Sequence, residues 1–98
     1  MSFVLVVRMK MAEGNEERAA QVIGELARAS RAEPGCEQYV PCRDAEDPRS
    51  YLIYEQYRDR KAFEEHGASE LFQRLAAGEL WGLLEGERER TFYETLTV

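Results

Sequence analysis

The order of strand-like and helix-like segments constrains the fold of this chain more than any other feature of its sequence. Four apolar or alternating runs predict β-strands, at residues 2–9, 36–43, 51–58 and 88–98. Two segments with apolar residues at spacings of three and four predict amphipathic helices, at residues 15–32 and 59–78. The resulting order, β-α-β-β-α-β, is that of the ferredoxin-like α+β fold, in which a four-stranded antiparallel sheet carries helices on one face.

Local signals mark the ends of the two helices. Asn15 and Asp59 are the predicted N-caps, since a short polar side chain can accept a hydrogen bond from a free N–H of the first turn. In the second helix the apolar stripe steps from His66 to Leu71, which is too far for a regular helix. We therefore expect a break there, with Ser69 capping a second helical segment.

The third predicted strand carries large side chains on both faces. Tyr51, Ile53 and Tyr57 alternate with Leu52 and Tyr54, and successive side chains of a strand point to opposite faces. In a split βαβ fold the helices cover one face of the sheet and leave the other bare in a monomer. We therefore expect a two-fold homodimer that forms through the bare sheet face.

Length and charge exclude several classes of protein. A chain of 98 residues is long enough for one domain, which is expected to span residues 1–98. The formal net charge of −6 argues against binding to nucleic acid or to an anionic membrane surface. No apolar run is long enough to cross a bilayer, so we expect a cytoplasmic protein.

The two cysteines, Cys36 and Cys42, are too few for a disulfide framework or a zinc site. Both fall in the second predicted strand. Regular alternation would point them to the same face, but too far apart along the strand to bond. We therefore expect two reduced thiols.

Three stretches resemble a known family when they are taken together. They are Glu-Pro-Gly-Cys at residues 33–36, Asp-Pro at residues 47–48, and Y-E-Q-Y-x-D-x-x-A-F-x-x-H-x-x-S-x-x-F at residues 54–72. In order and spacing they are similar to the antibiotic biosynthesis monooxygenase domain, over nearly the whole chain. The resemblance implies a dimeric α+β barrel with a pocket in each subunit between sheet and helices.

The resemblance also implies a chemistry. Members of this family oxidise quinols, anthrones or similar aromatic molecules with O₂ and without flavin, haem or metal. The sequence contains no Gly-x-Gly-x-x-Gly, Gly-Lys-Ser/Thr or His-Glu-x-x-His motif, so the expected partners are a small aromatic substrate and O₂, with no cofactor. Other members isomerise a signalling sugar derivative, degrade haem or have no assigned activity.

The predicted catalytic residues are His66, Glu55 and Tyr57. His66 is the only histidine, and the resemblance places it at the pocket, where it could remove a phenolic proton near neutral pH; it could instead bond backbone groups freed by the helix break. Glu55 could hold a substrate hydroxyl or orient His66. It could equally form a structural ion pair with Arg8 or Arg90.

Aromatic side chains are the predicted walls of the substrate pocket, because a flat phenolic ligand binds by stacking and a few hydroxyl bonds. The predicted substrate-binding residues are Tyr39, Tyr54, Phe63, Phe72 and Trp81. Any one of them could instead belong to the core.

Quinol-oxidising relatives often carry a second histidine near the position of Leu71 in this chain. Its absence leaves His66 without that proton-relay partner. Two other functions are compatible with the same residues. One is a non-enzymatic dimer that binds a small molecule, and the other is an isomerase of a small oxygenated metabolite.

Overall fold

A computed structural model describes all 98 residues of the chain. The strands are β1 (Phe3–Lys10), β2 (Cys36–Arg43), β3 (Ser50–Tyr57) and β4 (Glu89–Glu94). The helical elements are α1 (Glu16–Arg31), α2 (Arg60–Ala68), the short α3 (Glu70–Phe72), a π-helical turn (Gln73–Ala77) and a 3₁₀ turn (Leu80–Leu83). Their order confirms the predicted β-α-β-β-α-β arrangement.

The four strands form one antiparallel sheet in the order β2-β3-β1-β4. Leu5 on the central strand β1 lies opposite Glu55 on β3 and Phe92 on β4, and Glu55 lies opposite Tyr39 on β2. Side chains at directly opposed positions share a face. These residues therefore mark the face that the helices cover, and the fold is the expected ferredoxin-like α+β fold.

Helix α1 packs on the sheet through the apolar stripe read from the sequence. The predicted stripe residues are all buried: Ala19, Val22, Ile23, Leu26 and Ser30. The four apolar residues of this stripe join the inner side chains of β1 and β3 and the segment after α3 in a single core of 15 residues. Burial of a helix stripe and one sheet face is the main driving force for this layered arrangement.

The predicted break in the second helix is present. Asp59 caps α2 by accepting a hydrogen bond from the N–H of Ala62 at 2.8 Å. Ser69 ends α2 and caps α3 by accepting from the N–H of Phe72 at 3.2 Å. Gly78 closes the π-helical turn, where a Cβ atom would lie 2.5 Å from the carbonyl oxygen of Arg74.

The predicted side-chain cap at Asn15 is wrong. Asn15 occupies the N-cap position of α1, but its side chain makes no capping hydrogen bond. The amide nitrogen instead donates to the carbonyl oxygen of Leu83 at 3.1 Å. The side chain therefore ties the start of α1 to the 3₁₀ turn, and this tertiary hydrogen bond takes the place of the local one.

A bulge in β2 overturns the predicted orientation of the cysteines. The register shifts between Cys36 and Gln38, so that Cys36 lies opposite Tyr57 whereas Cys42 lies opposite Leu52. One extra residue reverses the alternation, and the two thiols lie on opposite faces of the sheet. Both are free.

The last strand is shorter than predicted. Its final residue, Glu94, pairs with Phe3, the first residue of β1. Beyond this point only Thr95 still bonds to the start of the chain, through two hydrogen bonds with Ser2, and Leu96 and Val98 are exposed to solvent. None of the helices is both long enough and apolar enough to cross a bilayer.

Candidate active site

A cavity of about 240 Å³ lies between the inner face of the sheet and the helices. Most of its lining is apolar, including Leu5, Leu26 and Ile53. Six of the predicted site residues line it: Tyr39, Glu55, Phe63, His66, Phe72 and Trp81. The fold therefore brings together in one cavity residues from two strands, from α2 and α3, and from the 3₁₀ turn.

His66 lies in the last turn of α2 and is 3% exposed. Its Nδ1 atom lies 2.6 Å from Oε1 of Glu33, which accepts a hydrogen bond from it. A carboxylate at Nδ1 fixes the ring orientation and leaves the lone pair of a neutral imidazole on Nε2. Nε2 is buried in the cavity wall and has no hydrogen-bond partner.

Glu55 stands beside His66 on the inner face of β3. Its Oε1 atom accepts a hydrogen bond from the hydroxyl of Tyr57 at 2.6 Å and lies 3.8 Å from Nε2 of His66. Burial raises the pKa of Glu55 to about 7, although the bond from Tyr57 opposes this shift. The carboxyl group can therefore gain or lose a proton near neutral pH.

The alternative of a structural ion pair for Glu55 is not realised. Arg8 follows Val7 on β1, so its side chain lies on the opposite face of the sheet, where it is exposed. Arg90 lines the cavity and its charge lowers the pKa of Glu55. It makes no ion pair with the carboxylate, because no arginine or lysine nitrogen lies within 4.0 Å of Glu55 and its one neighbour at that distance is the imidazole of His66.

Tyr57 and Tyr39 are buried neighbours of both His66 and Glu55. Tyr57 is 1% exposed and lies behind Glu55, with its ring 5.3 Å from that of His66, but it does not line the cavity. Tyr39 does line it, with its ring 5.9 Å from that of His66. Burial raises the pKa of both phenols above the ordinary value, so each remains a protonated donor.

Tyr54 lies outside the cavity, contrary to its predicted role in substrate binding. It neighbours Glu55 on β3, and successive side chains of a strand point to opposite faces. Its hydroxyl donates to Oε1 of Gln56 at 2.9 Å on the bare face of the sheet. The two-residue alternation of a strand was sufficient to exclude Tyr54 from any pocket that contains Glu55, because neighbouring residues cannot share a face.

Three polar residues near His66 were not predicted as site residues, although Arg90 was considered as an ion-pair partner of Glu55. Glu33, the partner of His66, is separated from it by 33 positions, and no local pattern connects the two. Arg88 and Arg90 both line the cavity, and the guanidinium carbon of Arg88 lies 4.0 Å from the centre of the Trp81 ring. The available signal was their spacing of two in the last predicted strand, which puts both on the same face as Phe92.

The site offers no metal-ligand cluster. Nowhere in the chain do three or more His, Cys, Asp or Glu side chains come together in a way that could hold a metal ion. The side chains with polar groups that line the cavity instead supply one imidazole, one carboxyl group, one phenol, one indole and two guanidinium groups. These groups can exchange protons and bind a hydroxylated or anionic ligand.

Residues 2–78 match the family model described as antibiotic biosynthesis monooxygenase. The chain belongs to this family. Membership supports a monooxygenase-type function at the level of the family. No curated protein matches the sequence.

Solved structures of similar fold cover nearly the whole chain. PA3566 from Pseudomonas aeruginosa is 28% identical, with a TM-score of 0.87 over 98% of this chain and 95% of its own. Rv0793 from Mycobacterium tuberculosis is 20% identical, with a TM-score of 0.91 over 100% of this chain and 98% of its own. SnoaB, a cofactor-independent oxygenase from Streptomyces nogalater, is 20% identical, with a TM-score of 0.85 over 99% and 95%.

Proposed function

We propose that this protein is a cofactor-independent monooxygenase of a quinol or a similar small hydroxylated aromatic molecule. The observation that carries the proposal is His66 Nε2, a buried nitrogen in the cavity wall with no partner in the chain. A buried polar atom without a partner is costly. A phenolic hydroxyl group bound in the cavity would supply the missing hydrogen bond.

The arrangement around His66 suits a general base. Glu33 holds Nδ1 and stabilises the imidazolium that forms when Nε2 takes the phenolic proton. The carboxyl group of Glu55, with a pKa of about 7, lies 3.8 Å from Nε2, so a proton would pass between them through one water molecule or through a hydroxyl group of the substrate. In this proposal the two carboxyl groups take the role of the second histidine that relatives carry near the position of Leu71.

The reaction needs no electrons beyond those of the substrate. One quinol and one O₂ give one hydroxyquinone and one water. One oxygen atom becomes bonded to a ring carbon, and the other takes up two hydrogens. Four electrons pass from the aromatic molecule to O₂. The protein's contribution is to deprotonate the substrate, hold it in place and exclude water.

The size and lining of the cavity favour a substrate of one or two rings. Its volume of about 240 Å³ lies below the range of about 300–1,000 Å³ that is usual for drug-sized ligands. Phe63, Phe72 and Trp81 supply aromatic walls, which stack on flat ligands. Within the classes expected from the sequence, this favours a quinol over a three-ring anthrone.

The family and one structural relative support the same activity. The chain belongs to the antibiotic biosynthesis monooxygenases, and SnoaB, which shares the fold, is a cofactor-independent oxygenase. At 20% identity this relative says nothing about the substrate of the present chain. The proposal for cofactor independence therefore rests on the residues around His66 together with the family.

We propose further that the protein acts as a homodimer through the bare sheet face. This face carries a continuous row of partly exposed apolar side chains, among them Val6, Val40, Leu52, Tyr54 and Tyr93. Val40 is 40% and Tyr93 is 50% exposed in the single chain. A two-fold sheet-to-sheet contact would remove this apolar surface from water.

The test is oxygen uptake, measured with an electrode over a panel of quinols. We compare the wild-type protein with His66→Ala and with Glu65→Gln, an exposed charge change one residue away on α2. We expect uptake above autoxidation for the wild type and for Glu65→Gln. Loss of the base should lower kcat by about 10²–10⁴-fold in His66→Ala, while binding of the quinol, measured by calorimetry, persists.

Each rival function gives a different result in this experiment. A non-enzymatic binding protein binds a quinol without uptake above background on any substrate. An isomerase converts its substrate equally well under nitrogen. Uptake that is unchanged in His66→Ala would leave the monooxygenase activity standing and remove His66 as its base.

A further inference from the structure

Two arginines of the cavity have no partner within the chain. Arg88, just before β4, and Arg90, within it, both line the cavity, and neither side chain makes a hydrogen bond or an ion pair with another residue. His66 has no negative charge that could balance the two guanidinium groups, and Glu55, whose pKa the charge of Arg90 lowers, forms no ion pair with either.

The position of Arg88 keeps its donors available. Its guanidinium group stacks on the indole ring of Trp81, with the guanidinium carbon 4.0 Å from the ring centre. Stacking on an aromatic face satisfies the flat side of a guanidinium and leaves its five N–H donors free at the edge. Burial and the neighbouring charge of Arg90 lower the pKa of Arg88 from its ordinary value, so a counter-anion would relieve both effects.

The cavity has a carboxyl group at its buried end and two positively charged guanidinium groups nearer the solvent. His66 and Glu55, at 3% and 5% exposure, form its buried end, whereas Arg88 is partly exposed and Arg90 exposed. An anionic group would be repelled by the carboxylate of Glu55 at the buried end and attracted by the two arginines near the solvent. A ligand that is charged at one end therefore has a single favourable orientation.

We infer that the cavity selects an aromatic substrate with an ionised carboxylate, which Arg88 and Arg90 bind while a ring hydroxyl reaches Nε2 of His66. A guanidinium fork matches a carboxylate in geometry and forms two parallel hydrogen bonds to it. The aromatic ring lies between the two ends, against Phe72 and Trp81. The inference deepens the proposed function, on which it rests for the position of the reacting hydroxyl.

A pair of matched probes tests the inference by binding alone. The probes are 2,5-dihydroxybenzoate and the neutral 2,5-dihydroxybenzamide, which keep the same ring and hydroxyl groups and differ in charge. Isothermal titration calorimetry at neutral pH gives the affinity of each. We expect the wild-type protein to bind the carboxylate at least about tenfold more tightly than the amide, since hydrogen bonds between charged groups are the strong ones.

Two variants assign the preference to the arginines. In Arg88→Gln combined with Arg90→Gln the preference for the carboxylate should fall to about one, with affinity for the amide little changed. Arg74→Gln removes the same charge from an exposed position outside the cavity and should keep the preference. Circular dichroism shows whether each variant is folded, and the comparison of the two probes on the wild-type protein tests the inference without any variant.

The outcomes separate this inference from the proposed function. Equal affinity for the two probes, binding of neither, or a preference that survives in the double variant would each overturn the carboxylate site. If neutral quinols are nevertheless oxidised in the oxygen electrode, the proposed function stands without it. A preference that depends on the arginines, with no oxygen uptake on any substrate, would keep the carboxylate site and remove the monooxygenase.

Discussion

Replacing Glu55 by glutamine tests whether the buried carboxyl group titrates near neutral pH. Burial raises the pKa of Glu55 from its usual 4.5 to about 7. Below pH 4.5 the group is protonated in both the folded and the unfolded chain and has no effect on their balance. As pH rises from 4.5 to about 7 the unfolded chain ionises first, so the folded protein loses stability.

The magnitude follows from the size of the shift. One pKa unit corresponds to about 1.4 kcal/mol, so the raised pKa costs the folded protein about 3 kcal/mol once the pH is above 7. About 2–3 kcal/mol of this loss falls between pH 5 and pH 8. Glutamine keeps an oxygen that can accept the hydrogen bond from Tyr57, but it has no proton to lose.

The assay is urea unfolding of the wild type and Glu55→Gln at pH 5 and pH 8, at one protein concentration. Relative to the wild type, the free energy of unfolding of the variant should be higher at pH 8 than at pH 5 by about 2–3 kcal/mol. The exposed control Glu65→Gln should show no such change. An equal difference at the two pH values would refute the reasoning, because it would mean that the carboxyl group is solvated in the folded protein.

Two further predictions concern packing and assembly. Gly35→Ala should lower the free energy of unfolding, measured with urea, by about 1–3 kcal/mol, because its Cβ would lie 2.4 Å from that of Ala62. The control is Gly24→Ala within α1, whose Cβ would meet only the end of a flexible arginine side chain. This control should be neutral or stabilising. Light scattering should give twice the 11.3 kDa mass of the chain. Tyr93→Lys on the bare sheet face should reduce that mass toward one chain, and a monomeric wild type would contradict the proposed interface.

Much of the fold could be predicted because its signals are local. The spacing of Val22, Ile23 and Leu26 is sufficient to place one face of α1 in the core. The caps at Asp59 and Ser69 need only a side chain and an N–H three residues later. The same reasoning failed at Asn15, where a carbonyl oxygen 68 positions away competed for the side chain.

The residues of the candidate site likewise fall into those that local signals could predict and those that they could not. Residues on predictable faces, such as His66, Phe63 and Phe72, reached the cavity as expected. The bulge that reverses the direction of Cys36 relative to Cys42 has no clear sign in the sequence. A pattern of period two can place a side chain on a face only where the register is unbroken.

The sequence by itself determined the order of the elements, the buried faces of the helices and strands, and membership of the family. Only the tertiary structure decided what each polar group meets. It brought Glu33 to His66 across 33 positions and placed Arg88 and Arg90, which form no ion pair, in the wall of the same cavity as His66. Local pattern reflects the chain's own periodicity, whereas the partner of a buried charge depends on which distant segment packs beside it, and that is fixed only when the sheet and helices come together.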